Sequence, residues 1–218
     1  MRWLAWATLL NVEREGLPAP TRQRLAQLLH LLNTEGWAEG RNFSSRVLAR
    51  WLNVTAETMR RDLSWLGGGH AGSVWKAEEL RSKLERVLGF SRTIRTALVG
   101  LDDWALDLFV KAKHQLWGMK LVAGFENRLN KLESLDLPLP LFPTVEIPQR
   151  VEQLEIEAAI LAVQNPQALR LAERLAQSKI KGILNLSGYP LKSSPHLRVV
   201  DASVQKLWNQ LFLGLVSE

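Results

Sequence analysis

The sequence predicts an α/β protein in two modules, a helical front followed by a parallel sheet. Leucines at helical spacing dominate residues 17–90, and short apolar runs alternate with helical segments from Arg95 onward. A glycine at position 89 supplies the stop between the two textures. At 218 residues the chain is long enough for each module to bury its own core. The boundaries fall at 1–90 for the front module, 91–202 for the sheet module and 203–218 for a closing helix.

In the front module, the apolar run from Trp3 to Leu10 is too short for an export signal and no small-residue cleavage site precedes NVERE, so it reads as a packing segment. After the GLPAP hinge, Leu25, Leu28, Leu29 and Leu32 mark one amphipathic helix that stops at Gly36. Ser44 and Ser45 cap a short helix through Trp51, Leu52-Asn53-Val54 turns the chain, and Thr55 caps a second helix to about Leu66. Two short helices across a tight turn make a helix-turn-helix candidate. Met59, Leu63 and Leu66 form its core stripe, which leaves Thr58, Arg60 and Arg61 on other faces. GGGHAG then makes a tight turn, with Ser73 to Trp75 returning as the second strand of a wing, and a last helix spans about Ala77 to Leu88.

The second module reads as βαβ units, with strands at 96–100, 120–125, 139–142, 158–163, 182–186 and 197–201. Pro138, Pro140, Pro143 and Pro148 interrupt the region of the third strand. In the closing helix, Val204, Leu207, Trp208, Leu211, Phe212 and Leu215 form a stripe too broad to face solvent, so a partner subunit is expected to cover it.

Composition narrows the function. The net charge of +6 is concentrated in residues 1–90, which carry +4, so the front module is the better binder of a polyanion. With no cysteine, thiolate metal sites and cysteine nucleophiles are excluded, and nothing points to an oxidising compartment, so a cytoplasmic protein is expected. No apolar stretch approaches the roughly 20 residues of a membrane span. His30, His70, His114 and His196 show no metal-ligand spacing. Asp102 and Asp103 are neighbours on a helix turn and point apart, and without a nucleophile-base constellation the chain does not read as an enzyme. The nine tryptophans are scattered through helical stripes and read as core or interface.

The segment LARWLNVTAETMRRDLSWLG resembles the helix-turn-helix of the Rex redox-sensing repressors. TALVG, VAGFE, EAAILAV, SKIKGILNL and VVDASVQKL then follow in the order and spacing of that family's Rossmann domain and swapped terminal helix, so the likeness covers residues 17–215. It implies a homodimeric repressor on a double-stranded DNA operator, released when NADH binds. On a helix-turn-helix, Arg46 and Arg50 one turn apart read as phosphate contacts, with Ser44, Ser45, Thr55, Thr58, Arg60, Arg61 and His70 completing the DNA face. The resemblance places NAD(H) against Gly100, Glu126, Ala162, Val163 and Asn185. It also implies a dimer switch built from Arg22, Lys111 and Asp201.

Three departures from the family pattern are visible. Gly100-Leu101-Asp102-Asp103-Trp104-Ala105 keeps only the first glycine of the dinucleotide fingerprint, and Asp102 brings a Cβ and a charge where backbone meets phosphate. Its carboxylate, with that of Asp103, is expected to take the helix N-terminal N–H groups that a phosphate would use. Glu126 stands about twenty residues on, where an acid holds a ribose hydroxyl. His70-Ala71 replaces a wing arginine, and Lys111 replaces a tyrosine. Two readings stay open beside NADH sensing: a regulator of this family that has lost it, and a Rossmann-like protein for CoA or another nucleotide.

Overall fold

The computed structural model describes residues 16–33, 38–67, 72–90, 92–111 and 118–215. The segment Trp3–Leu10, the stop at Gly36 and the wing residues His70 and Ala71 lie outside the described residues, as does the Lys111 side chain. The chain divides into two compact units after Arg92.

In the first unit, helix α1 (Ala19–Leu32) carries Pro20 in its first turn, where a missing N–H costs nothing, and buries Leu25, Leu28, Leu29 and Leu32. Strand β1 (Asn42–Ser44) leads directly into α2 (Ser45–Trp51), and α3 (Ala56–Ser64) follows. The turn between α2 and α3 is a Schellman ending. Asn53 adopts φ 51°, Val54 N–H donates to the Ala49 carbonyl at 3.0 Å, and Asn53 N–H donates to the Arg50 carbonyl at 3.3 Å. Met59, Leu63 and Leu66 join Leu48, Leu80 and Leu84 in one core. Helix α4 (Ala77–Leu88) stops at Gly89 with φ 84°, where Phe90 N–H donates to the Glu85 carbonyl at 2.8 Å.

One pairing differs from the sequence reading. Strand β2 (Val74–Lys76) pairs antiparallel with β1, which precedes α2, and residues 65–67 after α3 form a turn. Phe43 and Trp75 stand opposite each other and both are buried, so this pairing seals the core. A three-residue strand is too short to display the alternation that would have marked Asn42–Ser44 beforehand.

The second unit holds six parallel strands: β3 (Ile94–Val99), β4 (Met119–Glu126), β5 (Leu141–Pro143), β6 (Ala158–Leu161), β7 (Gly182–Asn185) and β8 (Arg198–Asp201). Their spatial order is β5-β4-β3-β6-β7-β8. The order reverses between β3 and β6, which is the switch point of a doubly wound sheet. Pro143 is tolerated because β5 is an edge strand. The helices are α5 (Asp103–Leu106), continued by a π turn over residues 107–111, then α6 (Leu129–Ser134), α7 (Ile147–Gln153), α8 (Gln167–Ala176) and α9 (Val204–Leu215).

Alternate residues of β3 serve opposite faces of the sheet. Ala97 and Val99 pack with Phe125, with Ile147 and Val151 of α7, and with Leu171 and Leu175 of α8. Leu98 packs with Ile160 and with Leu101, Ala105 and Leu106 around α5. Helices therefore cover both faces, as the alternating strands and helices of the sequence require. Helix α9 leaves the sheet directly after β8, and Trp208, Leu211, Phe212 and Leu215 are each more than half exposed on the single chain.

Candidate functional site

The helix pair presents its polar residues from fixed caps. Ser44 Oγ accepts the Val47 N–H at 3.4 Å and starts α2, which leaves Ser45 half-buried and sets Arg46 and Arg50 exposed one turn apart. Thr55 Oγ1 accepts the Thr58 N–H at 3.1 Å and shares a 2.9 Å hydrogen bond with the Thr58 hydroxyl, so the two threonines stand together at the start of α3. Arg60 and Arg61 follow one turn later. Glu57, which the sequence reading did not single out, holds both: Arg60 Nη2 and Nε donate to its Oε2 at 2.6 and 3.2 Å, and Arg61 Nε stands 3.4 Å from its Oε1. The Arg60 guanidinium draws the Glu57 carboxyl below its ordinary value. The i,i+3 and i,i+4 spacing was a legible signal for this cluster.

A second group missed in the sequence fixes α3 from behind. Asp62 is buried, and α1 supplies its partners: Arg24 Nε at 2.6 Å, Arg24 Nη2 at 2.9 Å and the Thr21 hydroxyl at 2.8 Å. This pairing neutralises the acid and directs the opposite face of α3 outward. The exposed faces of α2 and α3 then carry four arginines against Glu57 alone.

In the second unit, Gly100, Glu126, Ala162, Val163 and Asn185 gather at or just beyond the carboxyl ends of β3, β4, β6 and β7. Gly100 has φ 92°, and a Cβ there would lie 2.6 Å from Val163 Cγ2 and 3.1 Å from the Ala162 carbonyl carbon. The strand crossing at the switch point thus requires this glycine by itself. Asn185 is committed to a local turn, accepting from Ser187 N–H at 3.1 Å and Ser187 Oγ at 2.7 Å and donating to the Tyr189 carbonyl at 2.8 Å. Asp201 Oδ1 accepts the Ser203 N–H at 3.0 Å. Arg22 Nη2, in the first unit, donates to the Leu17 carbonyl at 3.0 Å.

The loop after β3 departs from the sequence reading. The Asp102 carboxylate does not take the helix N–H groups; it accepts from Arg128 Nη2 at 2.6 Å and Lys131 Nζ at 3.3 Å instead. Asp103 is almost fully exposed, 3.9 Å from Lys131. Both partners lie beyond β4 in sequence, and the fold brings them to this loop. Glu126 accepts the N–H groups of Asn127 and Arg128 at 2.8 and 3.1 Å, the Leu101 N–H at 3.4 Å, and Arg128 Nη2 and Nε at 2.8 and 3.2 Å. Burial pushes the Glu126 carboxyl up, but the Arg128 guanidinium and these N–H groups outweigh it and leave it below its ordinary value. Asp102 is likewise lowered, chiefly by Arg128, and Arg128 is raised by Glu126 and then Asp102.

Comparison with known proteins bears on both units. A family model described as "Putative DNA-binding protein N-terminus" matches residues 16–64. The redox-sensing transcriptional repressor Rex of Pediococcus pentosaceus is 32% identical over 145 residues, 66% of this chain and 70% of that protein. The Rex of Limosilactobacillus reuteri is 26% identical over 184 residues, 84% of this chain and 86% of the relative. Among solved structures, RSP, a Rex-family repressor, in complex with β-NAD+ and operator DNA superposes with a TM-score of 0.74 at 22% identity, covering 94% of this chain and 99% of that one. The chain belongs to the Rex family of redox-sensing transcriptional repressors.

Proposed function

We propose that the chain is a transcriptional repressor that binds double-stranded operator DNA through α2 and α3, as a homodimer with one recognition helix per half-site. The observation that carries this reading is the set Arg46, Arg50, Arg60 and Arg61 on a capped helix pair whose apolar faces are spent in the core. Arg46 and Arg50 contact phosphate, Thr55, Thr58 and Arg60 face the major groove, Ser44, Ser45 and Arg61 flank them, and the family likeness adds His70. Selection of genomic fragments with the purified chain, followed by footprinting, tests it. A two-fold symmetric protected site is the expected result, and no retention above random duplex at 100 mM salt would overturn it.

Two apolar surfaces of the second unit support the dimer. Helix α9 exposes Trp208, Leu211 and Phe212, while Leu184 and Leu186 remain only half-buried on the sheet face opposite α8. A terminal helix exchanged between two copies covers both. The family likeness adds Arg22, Lys111 and Asp201 as the residues that couple the subunits. No enzymatic role is assigned, and among the described residues no helix is long and apolar enough to cross a membrane.

NAD(H) is the group bound in the solved RSP structures. The crevice of this chain does not fit it. Asp102 supplies a side chain and a charge where backbone must approach a pyrophosphate, and the Glu126 oxygens that would accept ribose hydroxyls already accept from Arg128. The reading favoured here is therefore a repressor of this family without NAD(H) sensing.

A further inference from the structure

We infer that Asp102, Arg128 and Glu126 form a bolt across the dinucleotide crevice, in which the Asp102 carboxylate stands in for the ligand's phosphate. The inference rests on the assignment of the crevice made above and deepens it by naming what fills it. One guanidinium joins the loop after β3 to the end of β4. Arg128 Nη2 lies 2.6 Å from Asp102 Oδ1 and 2.8 Å from Glu126 Oε2, and Arg128 Nε lies 3.2 Å from Glu126 Oε1. Lys131 of α6 adds a second cation to Asp102.

The chemistry is that of an anion site with its anion built in. A dinucleotide phosphate arriving at this loop meets a carboxylate that is already paired with the two nearest cations, so binding requires that both be pulled from it. A ribose diol arriving at Glu126 meets oxygens saturated by three N–H groups and the guanidinium. Gly100 is required by its packing against Val163, so its survival says nothing of a ligand. The second glycine of the fingerprint, whose use is to admit phosphate, is the one replaced, by Asp102, whereas Ala105 keeps the small residue that helix packing needs at the third.

The consequence is a repressor whose DNA affinity is indifferent to NADH, and whose crevice reopens when the internal anion is removed. The full-length chain, Asp102→Gly and Asp102→Asn are titrated with NADH up to 1 mM by isothermal calorimetry, with circular dichroism to verify folding. The expected result is no binding by the wild type up to 1 mM, binding by Asp102→Gly at least 100-fold tighter than that limit, and weaker binding by Asp102→Asn, which keeps the Cβ but loses the charge. Binding by the wild type within that range overturns the inference whatever the variants do. Folded Asp102 variants that bind no better than the wild type overturn it as well. The titration contains no DNA, so failure of the repressor reading leaves its outcome intact.

Discussion

Arg24 on α1 grips Asp62 on α3 with two hydrogen bonds, Nε to Oδ2 at 2.6 Å and Nη2 to Oδ1 at 2.9 Å, across a separation of 38 residues. The pair is asymmetric, because the Asp62 side chain is 2% exposed and that of Arg24 is 24% exposed. Arg24→Ala strands a buried carboxylate with only the Thr21 hydroxyl and should cost about 3 to 5 kcal/mol. Asp62→Ala leaves a guanidinium that can reach water and should cost about 1 to 2 kcal/mol. Urea unfolding of the full chain, followed by circular dichroism, compares the two. An Arg24 variant no less stable than the Asp62 variant would remove the buried-charge argument.

The Glu57 clasp makes separable predictions for the DNA face. Arg60→Ala should weaken operator binding by about 1 to 3 kcal/mol if the side chain reaches a base edge, with little loss on random duplex. Arg50→Ala should weaken both and reduce the salt slope by about one unit. Glu57→Gln removes the negative charge that pairs with Arg60 and Arg61, so it should strengthen random-duplex binding more than operator binding. Fluorescence anisotropy between 50 and 200 mM salt reads all three. Unchanged affinity in both arginine variants would refute the assignment.

Elements set by local chemistry were legible in the sequence. Ser44, Thr55 and Gly89 cap or end the helices they were expected to, and all six strands of the parallel sheet appear in chain order. What escaped depends on distance in sequence or on brevity. No period links Arg24 to Asp62, a three-residue strand at Asn42–Ser44 is too short for its alternation to mark it, and the partners of Asp102 lie beyond the next strand. At the crevice, sequence reasoning recognised the foreign carboxylate but gave it the helix N–H groups, because only the fold reveals that Arg128 and Lys131 are nearer.

The bolt has a pH signature. Asp102 and Glu126 both sit below their ordinary values, so the folded state binds fewer protons than the unfolded one, and the stabilisation is complete above the usual carboxylate range of about 4. It is lost as pH falls through the lowered values. Arg128→Met should therefore cost about 1 to 2 kcal/mol at pH 7, modest because the arginine is half exposed, and the difference from wild type should shrink towards pH 3. Thermal melts at intervals from pH 7 to 3 measure it. A gap that stays constant or widens on acidification would show that Arg128 does not act through these carboxylates.

The exposed face of α9 leads to a test of assembly. Leu211 and Phe212 are each 52% exposed in the single chain, so covering what remains of each contributes about half of the 1.5 to 3 kcal/mol of a full burial, roughly 1 kcal/mol apiece. A charge placed there forfeits that gain and must itself be desolvated, so Leu211→Asp with Phe212→Asp should convert a dimer into a monomer at micromolar concentration. Sedimentation equilibrium should give twice the 24.7 kDa chain mass for the wild type and the single mass for the double variant. In the proposed dimer a two-fold operator is read by two helices at once, so the monomer should also lose most of its operator affinity while keeping its weak, salt-sensitive hold on random duplex. A wild type that sediments as a monomer, or a double variant that remains dimeric, would show that α9 does not join the subunits.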